Sequence, residues 1–215
     1  MRDSVPVVSV DDPSERVAAA RRAGRRARMD LSGAERARAT ERAVAALCSL
    51  DELSAPVGAG RISLSWPVRD ELDLRAAAPV LRGLGWTTWL PVVVAPSADD
   101  PGVMAFREWS DGDEMAVGAF GISEPPDDGR PLLDASGIDV VVAPCVAADE
   151  TGTRIGFGAG YYDRALADPV SRPLVVVACF DVQVGAEPIP RREWDVPADV
   201  VVTDRRVART GTTQP

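Results

Sequence analysis

The stretch from Asp139 to Arg164 holds the residues best suited to chemistry. It reads D-V-V-V-A-P-C-V-A-A-D-E-T-G-T-R-I-G-F-G-A-G-Y-Y-D-R. Arg154 is followed by glycine at every second position, Gly156, Gly158 and Gly160. Backbone without a Cβ lets N–H groups come close to an anion. Arg154 adds a permanently charged planar fork that suits phosphate oxygens. The apolar, β-branched run Asp139–Ala143 reads as a buried strand, and Tyr161–Arg164 opens a helical pattern. Strand, glycine loop and helix start make a layout for gripping phosphate, with the helix N–H groups and dipole aimed at the same place. The spacing is neither the dinucleotide fingerprint G-x-G-x-x-G nor a P-loop, which needs a lysine. A nicotinamide-dependent oxidoreductase is disfavoured on the same ground.

Two absences narrow the chemistry further. The 215 residues include no histidine and no lysine. This removes histidine acid–base catalysis, serine–histidine triads, Schiff bases and a Walker lysine. Asp, Glu, Arg, Tyr, backbone amides and a metal held by oxygen remain. Phosphoryl transfer with magnesium suits that set, because it depends on positioning and charge stabilisation more than on a strong base. The formal charge of −9 argues against a general nucleic-acid coat. An acidic chain that binds anions must gather arginine and a divalent cation at the site. No run approaches the roughly 18 apolar residues of a membrane span, and the N-terminus lacks the apolar core of a signal peptide. Cys48, Cys145 and Cys179 stand far apart in apolar surroundings, which predicts buried reduced thiols in a cytoplasmic protein.

Alternating elements must position these groups. Met1–Asp12 reads as a disordered lead and Arg205–Pro215 as a disordered tail. A helix rich in Ala and Arg runs from a Ser14 cap to about Asp30. Ser32 with Glu35 is a capping box for a second helix through about Leu50. Arg61–Trp66 alternates like a strand and is followed by a helix to about Leu84. Thr87–Val94, Leu174–Phe180 and Asp199–Thr203 read as further strands. Met104–Trp109 and Met115–Ala119 read as a hairpin around Asp111-Gly112-Asp113. Strands alternating with helices predict an α/β sheet covered on both faces.

The longer string A-P-x-x-A-x-D-x-x-G-x-R-I-G-F-G-x-G-Y-Y-D-R closely resembles the signature of the 5-formyltetrahydrofolate cyclo-ligase family, whose members are also called methenyltetrahydrofolate synthetases. Weaker matches extend from roughly Arg16 to Asp204. The resemblance implies a three-layer α/β/α fold with a mixed, mostly parallel sheet, as a single domain over residues 13–204. It implies ATP- and Mg2+-dependent conversion of 5-formyltetrahydrofolate to 5,10-methenyltetrahydrofolate, releasing ADP and phosphate through a phosphorylated formyl intermediate. The implied partners are the small molecules ATP and reduced folate, with no nucleic acid or membrane, in a monomer or weak dimer. The alternative is a non-catalytic folate- or nucleotide-binding protein of the same fold.

Carried over position by position, the resemblance assigns Arg154 and the backbone of Ile155, Gly156, Phe157, Gly158, Ala159, Gly160, Tyr161 and Tyr162 to ATP, with Arg154 and Tyr162 as catalytic residues. Arg21, eleven residues before Ser32, matches an arginine aimed at the phosphates, and Arg16 stands beside Val17, where a second basic residue is usual. Asp163 and Asp195 become the magnesium carboxylates. Trp66, Glu71, Met104 and the loop Phe157, Gly158, Ala159, Gly160 and Tyr161 border the folate. A carboxylate at Glu71 can accept paired hydrogen bonds from a pterin amino group and ring N–H. Ala148 departs from the family's usual aromatic residue, so two pocket positions, Val17 and Ala148, are altered.

Overall fold

In the computed structural model, which describes residues 12–54, 56, 58–94 and 102–211, the β-branched runs become the centre of one sheet. In chain order the strands are β1 (Gly60–Ser63), β2 (Trp86–Val94), β3 (Val103–Glu108), β4 (Ala116–Val117), β5 (Ser123–Glu124), β6 (Leu132–Leu133), β7 (Val140–Pro144), β8 (Ala147–Asp149), β9 (Arg154–Ile155), β10 (Leu174–Ala178), β11 (Val184–Gly185), β12 (Val200–Val202) and β13 (Val207–Arg209). The helices are α1 (Pro13–Met29), α2 (Gly33–Cys48), α3 (Ala78–Gly83) and α4 (Tyr161–Ala165). The main sheet has the order β13-β12-β10-β7-β1-β2-β3-β6. Its five central strands are parallel, and the edge pairings β12–β13, β2–β3 and β3–β6 are antiparallel. Parallel strands need cover on both faces, which is why Val140–Val142 and Val175–Val177 are apolar without alternation and wholly buried.

Two helical layers supply that cover. Ala39, Ala43 and Leu47 of α2 and Leu81 of α3 pack with Ile62, Val142, Val176 and Val202 on one face. Leu47 and Leu81 are fully buried, each contributing about 1.5–3 kcal/mol relative to exposure. On the opposite face Leu166, with Tyr161, Tyr162 and Ala165, packs with Val141, Ala143, Val175 and Val177. This is the mixed three-layer sheet expected. Helix α1 belongs to neither layer. It packs against β8, β9, β11 and the 3-10 turn Asp181–Gln183, beyond the carboxyl ends of β7 and β10.

Several local expectations need correction. Asp12, not Ser14, caps α1: its Oδ1 accepts the Ser14 amide at 2.9 Å, because Pro13 takes the first helical position, where its missing N–H costs nothing. The capping box at Ser32 and Glu35 is present. The helix before Leu84 is short, a 3-10 turn Arg75–Ala77 followed by α3. Residues 104–109 do not pair with 115–119. Strand β3 pairs instead with the long β2, from Trp89↔Glu108 to Val94↔Val103, while β4 closes a separate hairpin with β5. The tail expected to be disordered carries β13, which extends the ladder of β12 and is tied down by Arg209 to Glu52 at 2.8 Å. Residues 1–11 and 212–215 lie outside the described residues. Among the described residues no helix is long and apolar enough to cross a membrane.

Candidate active site

A buried aspartate builds the approach to the glycine loop. One oxygen of Asp149 accepts the Thr151 amide at 2.9 Å, the Thr151 hydroxyl at 2.7 Å and the Thr153 amide at 3.1 Å; the other accepts the Ile189 amide at 2.6 Å. These bonds fix the turn that β9 leaves to enter Gly156–Gly160. Gly158 (φ +110) and Gly160 (φ +67) occupy backbone conformations that side-chain-bearing residues avoid. A Cβ added at Gly156 or Gly158 would meet nothing within 4 Å, so this face of the loop is open. Among the described residues, the amides of Gly156, Phe157, Gly158 and Ala159 donate to no protein acceptor. Helix α4 is only five residues long. Its dipole is correspondingly small, and the loop amides supply most of the donor capacity.

Helix α1 lies against this loop because of one glycine. A Cβ at Gly24 would strike the Val146 carbonyl, so Gly24 permits a backbone approach that outweighs its cost of about 1 kcal/mol in a helix interior. Arg21 Nε then donates to the Gly156 carbonyl at 3.2 Å. Arg16 is not brought to the loop; it donates to the Pro188 carbonyl at 2.9 Å. Val17 packs with Ala20 against Ala147, Ile155 and Ile189, which explains an apolar residue there.

Arg28 was hidden in the arginine run. It lies 3.4 Å from Glu71 Oε1, with both side chains only 5% exposed, and 5.9 Å from the Phe157 ring. The available signal was Gly24 four residues earlier: the two share a helix face and are the buried residues of α1. Glu71 Oε2 accepts the Val68 amide at 2.9 Å. Burial pushes the Glu71 carboxyl above its ordinary value, while the Val68 amide and Arg28 oppose that shift.

Arg154 NH2 donates to Asp163 Oδ1 at 2.8 Å, and its guanidinium lies 5.8 Å from the Tyr162 ring centre. Among the described residues, Arg154 Nε is buried and finds no hydrogen-bond partner. Burial and the nearby Glu71 push the Tyr162 phenol well above its ordinary value, so it is protonated at neutral pH. Asp163 Oδ1 also accepts the Val196 amide at 3.2 Å. Val196 directly follows Asp195, whose Oδ2 accepts the Arg192 amide at 2.8 Å. The two acids therefore share a neighbourhood, each with one carboxylate oxygen left. Among the described residues no group of three or more potential ligands forms. A pair of carboxylates fits magnesium, which takes one or two carboxylates and completes its shell with phosphate and water.

The remaining aromatic and apolar residues divide into floor and rim. Met104 is buried with Trp89 and Phe106, and Tyr161 and Tyr162 pack on that cluster. Trp66 is engaged by Arg75, 4.0 Å from its ring, and meets Trp109 edge-on at 6.4 Å. Ala148 is fully buried in the cluster beneath the tyrosines. Phe157 is exposed. Phe120, missed from sequence, is exposed with φ +59 and meets Tyr161 edge-on at 5.9 Å; an aromatic residue between Gly118 and Gly121 was its signal. Cys145 and Cys179 are buried free thiols and Cys48 is half-buried. The Cys145 thiol and burial push Cys179 well above its ordinary value, which leaves it a poor nucleophile.

Comparison with known proteins places the chain in a family. The 5-formyltetrahydrofolate cyclo-ligase of Escherichia coli (strain K12) is 36% identical over 138 residues, 64% of this chain and 74% of that protein. The enzyme of the same name from Mycolicibacterium smegmatis is 32% identical over 140 residues, 65% of this chain and 71% of that one. The solution structure of Aquifex aeolicus 5,10-methenyltetrahydrofolate synthetase superposes with a TM-score of 0.74 at 30% identity, covering 93% of this chain and 95% of that one. A synthetase from Mycoplasma pneumoniae, 20% identical with a TM-score of 0.67, shares the fold. Residues 13–204 match the model of the 5-formyltetrahydrofolate cyclo-ligase family, and the chain is an enzyme of that family.

Proposed function

We propose that the chain closes the ring of 5-formyltetrahydrofolate to give 5,10-methenyltetrahydrofolate, with ATP converted to ADP and phosphate. One observation carries this reading. Arg28 pairs with the buried Glu71 and lies 5.9 Å from the ring of Phe157 in the glycine loop, so an acid suited to a pterin edge and a loop suited to phosphate lie close together. Glu71 accepts the pterin amino and ring N–H groups. Phe157, Tyr161 and Phe120 border the folate. Arg21, Arg154 and the amides of residues 155–162 hold the phosphates. Asp163 and Asp195 would hold magnesium, which when bound neutralises phosphate charge.

A formamide is a poor electrophile because its nitrogen lone pair is delocalised into the carbonyl. The formyl oxygen attacks the γ-phosphorus; an O–P bond forms as the bond to the ADP oxygen breaks. The neighbouring folate amine then attacks the formyl carbon. Phosphate leaves with the formyl oxygen and takes up the amine's proton. Neither step needs a protein nucleophile, which suits a chain without histidine or lysine. The Tyr162 phenol keeps its proton and serves as a donor, not a base. Alignment of the two bound substrates can supply ~7–11 kcal/mol of the barrier. The test is turnover: methenyl absorbance should appear with ATP, magnesium and 5-formyltetrahydrofolate together. Binding of both substrates without product would instead favour a non-catalytic binder.

A further inference from the structure

We infer that Arg28 is a positioning residue that holds the Glu71 carboxylate aimed at the substrate's ring and links it to the glycine loop beside Phe157. The inference rests on the folate reading above and names how its recognition element is held.

Among the arginines of α1, Arg28 is the buried one. A buried guanidinium without a partner is costly, so its burial needs a reason. Its NH1 meets Glu71 Oε1 at the long distance of 3.4 Å, and its Nε has no partner among the described residues. Val68 fixes the other carboxylate oxygen from the turn that carries Glu71. Two donors from two elements thus set the carboxylate plane. A carboxylate has about four lone-pair sites, so each oxygen keeps one for a ligand N–H.

Among the described residues, the groups facing Glu71 are few. Arg28 comes from α1, the protonated Tyr162 phenol from α4, and the Val68 amide from its own turn. Asp70 beside it is engaged by Arg36. Burial favours the neutral acid and Arg28 favours the carboxylate. A neutral acid would replace one acceptor with a donor and could no longer take two N–H groups. Arg28 therefore acts on folate through Glu71, and its loss has a pH signature that lost packing lacks.

The test measures 5-formyltetrahydrofolate binding by calorimetry, without ATP, for the natural chain, Arg28→Met, Glu71→Gln and the double variant. Circular dichroism checks folding. Arg28→Met should weaken binding by about tenfold or more, as expected when one partner of a buried hydrogen-bonded charge pair is removed. The loss should shrink as pH rises and Glu71 regains its charge. Glu71→Gln should show a loss that does not change with pH, and the double variant should match it within about twofold. A pH-independent loss in Arg28→Met would overturn the inference. So would a double variant about tenfold weaker than Glu71→Gln, because Arg28 would then touch substrate itself. If Arg28→Met does not fold, the double variant decides, since it leaves no unpaired buried charge. A natural chain that binds folate but does not turn it over removes the proposed reaction and leaves this inference standing; one that binds no folate removes both.

Discussion

Arg154 and Asp163 meet at 2.8 Å across nine residues of chain, so the guanidinium assigned to phosphate and the carboxylate assigned to metal begin as partners. The pair spans the glycine loop from β9 to α4 and holds its two ends in register. Asp163→Asn keeps the shape but removes the charge. Turnover should fall by about a hundredfold or more, as expected for lost preorganised electrostatics, and the melting temperature should fall as well, because Arg154 is left buried without a counter-charge. Arg154→Ala should raise KM for ATP far more than KM for folate. Equal losses for both substrates would remove Arg154 from phosphate binding.

The open face of the loop makes its own prediction. A methyl at Gly156 meets no protein atom within 4 Å, so Gly156→Ala should change stability by no more than about 0.5–1 kcal/mol. It should nevertheless weaken ATP, because in the proposed reading the phosphates seat against this loop. Calorimetric titration with ATP beside a denaturant melt checks both halves. Unchanged ATP affinity would mean that the loop receives no phosphate.

Gly24→Ala tests the helix that carries Arg21 and Arg28. Alanine gains about 1 kcal/mol of helix propensity, but its Cβ runs into the Val146 carbonyl. Overpacking of this kind costs typically 1–3 kcal/mol, so the variant should be no more stable and should bind both ligands less well. Urea unfolding measures the first effect and KM values the second. A more stable variant with unchanged KM values would contradict the role of Gly24.

The raised Glu71 carboxyl sets a pH dependence. Its charged form is lost as pH falls through a value above the ordinary 4.5, so folate affinity should decline on acidification earlier than a surface glutamate would allow. Stability responds with the opposite sign. The folded state binds this proton more tightly than the unfolded state, so Glu71 subtracts from stability above its raised value and ceases to do so near 4.5. Folate titrations at several pH values, compared with Glu71→Gln, isolate the effect. A Glu71→Gln profile as steep as the natural one would assign the pH dependence elsewhere.

Much of this was legible in the residues because the informative contacts are local. The runs Val140–Val142 and Val175–Val177 announce buried strands, Ser32 and Glu35 close their own capping box, and Gly156–Gly160 opens where its glycines permit. What was not legible depends on distance. The Arg28–Glu71 pair spans 43 residues, and its periodicity is masked by five other arginines between positions 16 and 26. The short β13 has no pattern of its own and exists because β12 offers an edge. Met104–Trp109 pairs with β2 and not with residues 115–119, because a strand's alternation does not say which ladder it joins. Arg16 reads like Arg21 in the sequence, yet Pro188 takes it.

The measurement that bears most directly on the proposed chemistry follows one atom. 5-Formyltetrahydrofolate labelled with oxygen-18 in its formyl group is turned over with unlabelled ATP, and the released phosphate is analysed by mass. Phosphoryl transfer to the formyl oxygen predicts one labelled oxygen in each phosphate. Unlabelled phosphate, with the label lost to water, would contradict it.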